Sequence, residues 1–201
     1  MTIRIVTVCT GNICRSPLAA QLLSAHLDPQ RFSVTSGGTA ALIGHHMPDQ
    51  AQRIATRLGL ADVGNHRGAA LINDELAAAD LVLGMAREHR RRAALVQPHV
   101  ARRAFTLLEF AHIVSHIPDQ RLAELMTDHA DAETVALTAA TRMRGTVPRL
   151  TPDNRYDVED PYGRSKHVYE RSAKSIETAV HQIVTFFQRA HTLTPTRTTK
   201  E

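Results

Sequence analysis

Residues 9–16 read Cys-Thr-Gly-Asn-Ile-Cys-Arg-Ser, so a cysteine, five residues, an arginine and a serine follow in one short run. These types at this spacing suit attack on phosphorus. The thiolate of Cys9 is the nucleophile. The intervening Thr10, Gly11, Asn12, Ile13 and Cys14 are enough backbone to curl into a ring whose N–H groups point inward as an anion nest. Arg15 closes that ring with a planar fork for two phosphate oxygens. The positive end of a helix starting at Ser16-Pro17 faces the same point and favours the thiolate over the thiol. The Ser16 hydroxyl stands where it can bond the sulfur before and after transfer. An isolated buried cysteine is an inert apolar residue. Gly11, Asn12 and Pro17, between a strand and a helix, argue for the reactive reading of Cys9 instead.

The elements that hold this run follow from its flanks. Ile3 to Val8 is a β-branched, buried strand that delivers Cys9 at its end. Ser16 is expected as the N-cap and Pro17 as the first position of the helix that follows. Further strands are predicted at Phe32–Thr35, Ala79–Met85 and Ala104–Leu107. Helices are predicted at 48–58, closed by Gly59, at 86–96 before Pro98, and at 165–189, with Val168, Ser172, Ile176, Val180, Ile183 and Phe187 facing inward. Strands alternating with helices give an α/β fold of three layers: a four-stranded parallel sheet with helices on both faces. Residues 112–154 carry helical periodicity without a strand or a motif and read as a helical insertion. The chain is thus one domain over 1–190, with a flexible polar tail over 191–201.

Composition narrows the classes. The chain has 201 residues, 43% apolar and 22% charged, enough for one buried core. Only 4% is aromatic, with no Trp, so that core is aliphatic. The net charge of +4 and pI near 9.5 suit acidic or phosphorylated partners. No apolar run approaches the roughly 18 residues of a membrane span. Two cysteines cannot build a disulfide scaffold, and the N-terminus reads directly as a strand, so a reducing cytoplasm without a signal peptide is expected. The histidines lack partners at ligand spacing, so neither metal nor cofactor is expected.

The segment VCTGNICRSP resembles the N-terminal phosphate loop of the low-molecular-weight protein tyrosine phosphatases, bacterial type. A second signature, Asp157-Val158-Glu159-Asp160-Pro161-Tyr162, is similar to the family's Asp-Pro-Tyr segment. The resemblance implies that Asp160 is the general acid, with Asp157 and Glu159 as its neighbouring rivals. It implies that Ser36 and His66 support the loop through Asn12, that Asp80 is structural, and that Leu42 and Tyr162 wall the substrate. Leu42 and Ile13 further resemble tyrosine-specific bacterial members. The implied partner is a phosphotyrosine protein such as a bacterial tyrosine kinase of polysaccharide synthesis. The resemblance covers roughly residues 3–110 and 155–188.

Two other readings use the same residues. Arsenate mimics phosphate, so Cys9 could serve an arsenate reductase. With no cysteine after Cys14, an internal thiol relay is excluded and an external small thiol is required. The runs Arg90-Arg91-Arg92 and Arg102-Arg103 suggest nucleic acid, but no aromatic stacking set or binding motif accompanies them, and such a run on a helix is usually a solvated face.

Overall fold

The computed structural model describes residues 2–61, 63–126 and 131–193. Four strands, β1 (Ile3–Cys9), β2 (Phe32–Gly38), β3 (Leu81–Gly84) and β4 (Ala104–Thr106), form one sheet in the order β2-β1-β3-β4, with every pair parallel. Side chains alternate across a strand, and the two faces separate accordingly. Ile3 and Ile5 join Leu81, Leu83 and Phe105 in the larger core, whereas Val6 and Val8 join Val82 and Ala104 in the smaller one. The larger core is completed by α1 (Arg15–His26), α2 (Asp49–Arg57), α5 (Leu107–Ser115), α7 (Ala132–Met143) and α8 (Lys166–Thr192). The smaller holds Leu76 of α3 (Asn73–Ala78) and Ala93 of α4 (Arg87–Val96). The three-layer α/β architecture is therefore the one the residue pattern predicts. No helix among the described residues is long and apolar enough to cross a membrane.

Several boundaries differ from the sequence reading. β2 runs on through Gly37 and Gly38, which pair with Val8 and Cys9. Ser16 is not the cap of α1. Cys14 holds that position without a side-chain cap bond, because the Ser16 hydroxyl is engaged by Cys9 and Asn12. Pro17 falls in the first turn, where its missing N–H is still no loss. Two helices were not predicted, α3 and α5. The second starts straight from β4 with a reciprocal capping box between Thr106 and Glu109. α5 runs through residue 112, so the helical excursion begins after Ser115, later than expected. Along α8, Tyr169 is buried where Val168 was expected, and Val168 is only half-buried. The helix continues to Thr192, so the expected tail cannot begin at 191. Its residues 194–201 lie outside the described ones.

The excursion contains α6 (Asp119–Leu125) and α7. Buried Glu133 of α7 binds Arg31 at 2.8 Å, and Arg189 of α8 bonds the Ile117 carbonyl at 2.7 Å. After α7, Arg144 pairs with Glu109 at 3.0 Å and stacks on Phe105 at 4.0 Å. In a parallel sheet of this order, the strand sequence reverses direction between β1 and β3, and the crevice at their carboxyl ends is the natural ligand site. Cys9 is the last residue of β1.

Gly38 borders that crevice. A Cβ there would lie 2.6 Å from the Thr10 carbonyl oxygen and 2.9 Å from Ala41. Both are too close for real contacts, and both are backbone or short side chain. Gly38→Ala is expected to destabilise the fold by about 1–3 kcal/mol, the usual cost of overpacking. The measurement is the urea midpoint, which should fall with an unchanged slope.

Candidate active site

After β1 the chain turns sharply at Asn12, whose φ of +54° is left-handed. The carbonyls of Cys9, Thr10 and Gly11 accept from the amides of Thr39, Ala40 and Leu42 at 2.9, 3.0 and 3.0 Å. The Asn12 carbonyl accepts from His66 Nε2 at 2.7 Å, which makes Nε2 the protonated nitrogen. Four successive carbonyls thus point outward. In a trans peptide the next N–H points the opposite way, so the amides of residues 10–13 face the inside of the loop. One of them, Asn12 N–H, donates to Cys9 Sγ at 3.2 Å. The nest inferred from the five-residue spacing is therefore present in the backbone.

The Asn12 side chain holds the turn. Its Nδ2 donates to Ser16 Oγ and Ser36 Oγ, each at 2.9 Å, and its Oδ1 accepts from the Ala69 amide at 2.9 Å. Ser36 and His66 therefore both meet Asn12. Asp80 lies elsewhere: it exchanges two bonds with the Arg4 backbone, both 2.9 Å, and ties β3 to β1.

Cys9 is buried, and its sulfur accepts from Ser16 Oγ at 3.0 Å as well as from Asn12. Two donors aimed at one sulfur suit a thiolate, since bonds to an ionised acceptor are the stronger kind. Cys14 is different. Burial pushes its thiol up to about 12, and its sulfur faces Tyr169 Oη at 4.0 Å. It stays protonated and cannot substitute for Cys9 as a nucleophile.

Arg15 is 5% exposed. Its Nη2 donates to Asp160 Oδ2 at 2.6 Å and its Nη1 to the Val158 carbonyl at 3.3 Å. Its Nε is buried without a partner among the described residues. An orphaned buried guanidinium N–H at the mouth of an amide-lined loop fits an anionic oxygen as its partner. Asp160 itself is 52% exposed and opens onto a cavity of about 210 Å³ with Cys9, Arg15, Ile13, Leu42 and Tyr162. Thr10, Gly11, Cys14 and Ala40 complete the lining, and no described residue of 112–154 takes part.

The three carboxylates of the downstream segment are sorted by their partners. Asp157 is clamped by Arg87, through the backbone N–H at 2.8 Å and the guanidinium at 2.9 Å. Glu159 binds Arg171 at 2.9 Å on the outer surface. Only Asp160 lines the cavity. Val158 N–H donates to the Met85 carbonyl at 2.8 Å, fixing the segment to the end of β3. Asp160 Oδ1 accepts from Tyr162 N–H at 3.2 Å, so the carboxylate and the aromatic ring that line the cavity share one turn.

Sequence reasoning missed Arg87 and His89, both in the first turn of α4. The only signal was a buried strand followed at once by polar residues. His89 is 1% exposed, its Nε2 lies 2.9 Å from Thr10 Oγ1, and its Nδ1 has no partner among the described residues. An unpaired buried lone pair costs less than an unpaired N–H. The proton therefore sits on Nε2 and is donated to Thr10. Burial, assisted by Arg15, pulls this imidazole down to about 4. Between about 6.5 and 4 the unfolded chain binds a proton that the folded chain refuses, so acid favours unfolding. On lowering the pH through that window, wild type should lose on the order of 3 kcal/mol relative to His89→Gln, a variant with no titrating ring. Urea unfolding of the pair at several pH values checks it. Parallel curves would mean that His89 is charged in the fold.

The family model for low molecular weight phosphotyrosine protein phosphatase matches residues 4–120, more than half of the chain. The chain is similar to the low molecular weight protein-tyrosine-phosphatase of Acinetobacter johnsonii, 34% identical over 103 residues, 51% of this chain and 70% of that one. It is also similar to a protein-arginine-phosphatase of Geobacillus stearothermophilus, 34% identical over 110 residues, 55% and 72% of the two chains. Among solved structures, the Erwinia amylovora tyrosine phosphatase superposes with a TM-score of 0.65 at 23% identity, over 92% of this chain and 93% of the other. A cysteine sulfur at the foot of the loop, an arginine beside it and an aspartate at the rim agree with a match that spans the loop itself, and the chain belongs to the low molecular weight phosphotyrosine protein phosphatase family.

Proposed function

We propose that the protein hydrolyses phosphotyrosine in proteins through a phosphocysteine on Cys9, with Asp160 as the general acid and then the general base. The observation that carries this is the convergence of Cys9 Sγ, Arg15 and Asp160 on one cavity of about 210 Å³. The Cys9 thiolate attacks phosphorus in line as the P–O bond to the tyrosyl oxygen breaks. Asp160 gives that oxygen its proton. Arg15 turns its fork from Asp160 onto two phosphoryl oxygens, and the inward amides stabilise the charge on the equatorial oxygens. Water then attacks the phosphocysteine, Asp160 takes its proton, and Ser16 donates to the departing sulfur.

The relatives act on two kinds of ester or amide, by their names: phosphotyrosine and phosphoarginine. The lining favours tyrosine. Ile13, Ala40, Leu42 and Tyr162 make the walls apolar, and Asp160 is the only carboxylate available to a guanidinium. An aryl ring gains from such walls, whereas a guanidinium would be desolvated with few acceptors. The same resemblance supports a tyrosine kinase of polysaccharide synthesis as the protein partner. Arsenate reduction gains nothing from Cys14, whose buried thiol at about 12 cannot act as a resolving group. Residues 112–154, whose described members are absent from the cavity lining, serve as a structural excursion of the single domain.

Steady-state assays on phosphotyrosine, phosphoserine and phosphoarginine peptides test the reading. Phosphotyrosine should be fastest and Cys9→Ser inactive, yet still able to bind inorganic phosphate. Phosphoarginine turnover equal to phosphotyrosine turnover would reverse the substrate assignment, and arsenate turnover with a small thiol would restore the reductase.

Asp160→Ala should slow phosphotyrosine hydrolysis by about 10²–10⁴-fold, the usual share of a general acid. The loss should shrink on aryl phosphates with acidic phenols, which leave without a proton. A leaving-group-dependent loss in Asp157→Ala but not in Asp160→Ala would assign the acid to the wrong carboxylate.

A further inference from the structure

The basic run 90–92, unused by the catalytic machinery, is divided by the helix. Arg90 projects to one side and pairs with Glu109 at 2.9 Å. Glu88, Arg91, Arg92 and Leu95 recur at the spacing of one helical face and share the opposite side of α4. Arg91 and Arg92 are exposed and have neither ion pair nor hydrogen bond among the described residues, and Leu95 is 62% exposed. This face lines a groove of about 480 Å³. The groove's remaining walls are Thr10, Thr39 and His89. Thr10 also lines the catalytic cavity, and Ala40, the neighbour of Thr39, does so too. The groove is thus the continuation of the active-site mouth along α4.

We infer that this groove is a substrate subsite that takes the acidic residues flanking the phosphotyrosine of a protein substrate. The inference rests on the phosphotyrosine reading above. A peptide whose phosphotyrosine ring stands between Leu42 and Tyr162 can leave the mouth over Thr10, and the next surface it meets is this one. Two unpaired guanidinium groups against one carboxylate, Glu88, leave the face positive, and guanidinium recognises Asp and Glu side chains bidentately. Leu95 adds apolar contact for the stem of such a residue. Nucleic acid suits the surface less well. Arg103 bonds the Ala77 carbonyl at 3.0 Å and Arg90 is paired, and Arg102, exposed without a partner among the described residues, lies outside the groove, so the two runs do not form one continuous stripe.

The test compares kcat/KM for three phosphotyrosine peptides that differ only in flanks: Asp/Glu, Ala/Gln or Lys. An exposed ion pair gives at most a factor of about five, so two should favour the acidic peptide over the neutral one by about tenfold at low salt. Added salt should erode this preference. In the double variant Arg91→Glu, Arg92→Glu the preference should vanish or invert, while a small aryl phosphate is turned over at the wild-type rate. Glu88→Gln should move the acidic peptide the opposite way, upward. Equal rates on all three peptides would overturn the subsite and leave the phosphotyrosine reading intact. So would a double variant that loses binding to duplex DNA but keeps its peptide preference. Turnover of phosphoarginine peptides with none of the three phosphotyrosine peptides would overturn both.

Discussion

The left-handed turn at Asn12 is the constraint on which the site depends. A non-glycine residue in this conformation costs roughly 1–2 kcal/mol and persists only where its surroundings enforce it. Here the enforcement is complete: amide to Cys9, carbonyl to His66, carboxamide to Ser16, Ser36 and Ala69. One residue thereby fixes the inward direction of the loop amides, the hydroxyl that reaches the sulfur, and the distance between β1 and the helix behind it. The supporting groups outside the loop come from β2 and from the 66–69 stretch, so the shape of an eight-residue loop is set by a strand and a turn up to 57 residues away.

Asp160 is positioned by a separate device. Arginines take the carboxylates of the downstream segment one by one: Arg87 takes Asp157, Arg171 takes Glu159 and Arg15 takes Asp160. Only the last pair lies in the cavity. The Arg15–Asp160 pair also joins the arginine fork to a carboxylate at the cavity rim, so an anion that engages Nη2 of the fork takes the place of that carboxylate.

The sheet, the order of its elements and the phosphate loop were legible in the sequence because they rest on local signals. β-branched runs mark the strands, and the loop's chemistry lies within eight consecutive residues. Ser16 was misread as a cap because local rules favour serine there, whereas tertiary bonds claimed its hydroxyl. The pairing of Asp160 with Arg15 spans 145 residues and could enter only through a family resemblance. His89 and Arg87 were invisible for a related reason. One His among 12 and one Arg in a basic helix look like solvated surface until β3 delivers α4 against the loop. The α5 helix was hidden by its abrupt start, since a capping box directly after a three-residue strand leaves no linker to read.

The anchors of the acid segment have a bearing on how this chain tolerates change in length. Both Arg87–Asp157 and Met85–Val158 lie after the whole helical excursion and tie the returning chain to β3 and α4, not to α6 or α7. The route taken between α5 and Asp153 therefore bears on Asp160 through its packing in the shared core and not through these anchors. A longer detour raises the entropic cost of closing that loop by only about 0.6 kcal/mol per doubling. A change of length that keeps Ala136, Ala139 and the Arg144–Glu109 pair in place would leave both anchors of the downstream segment where they are.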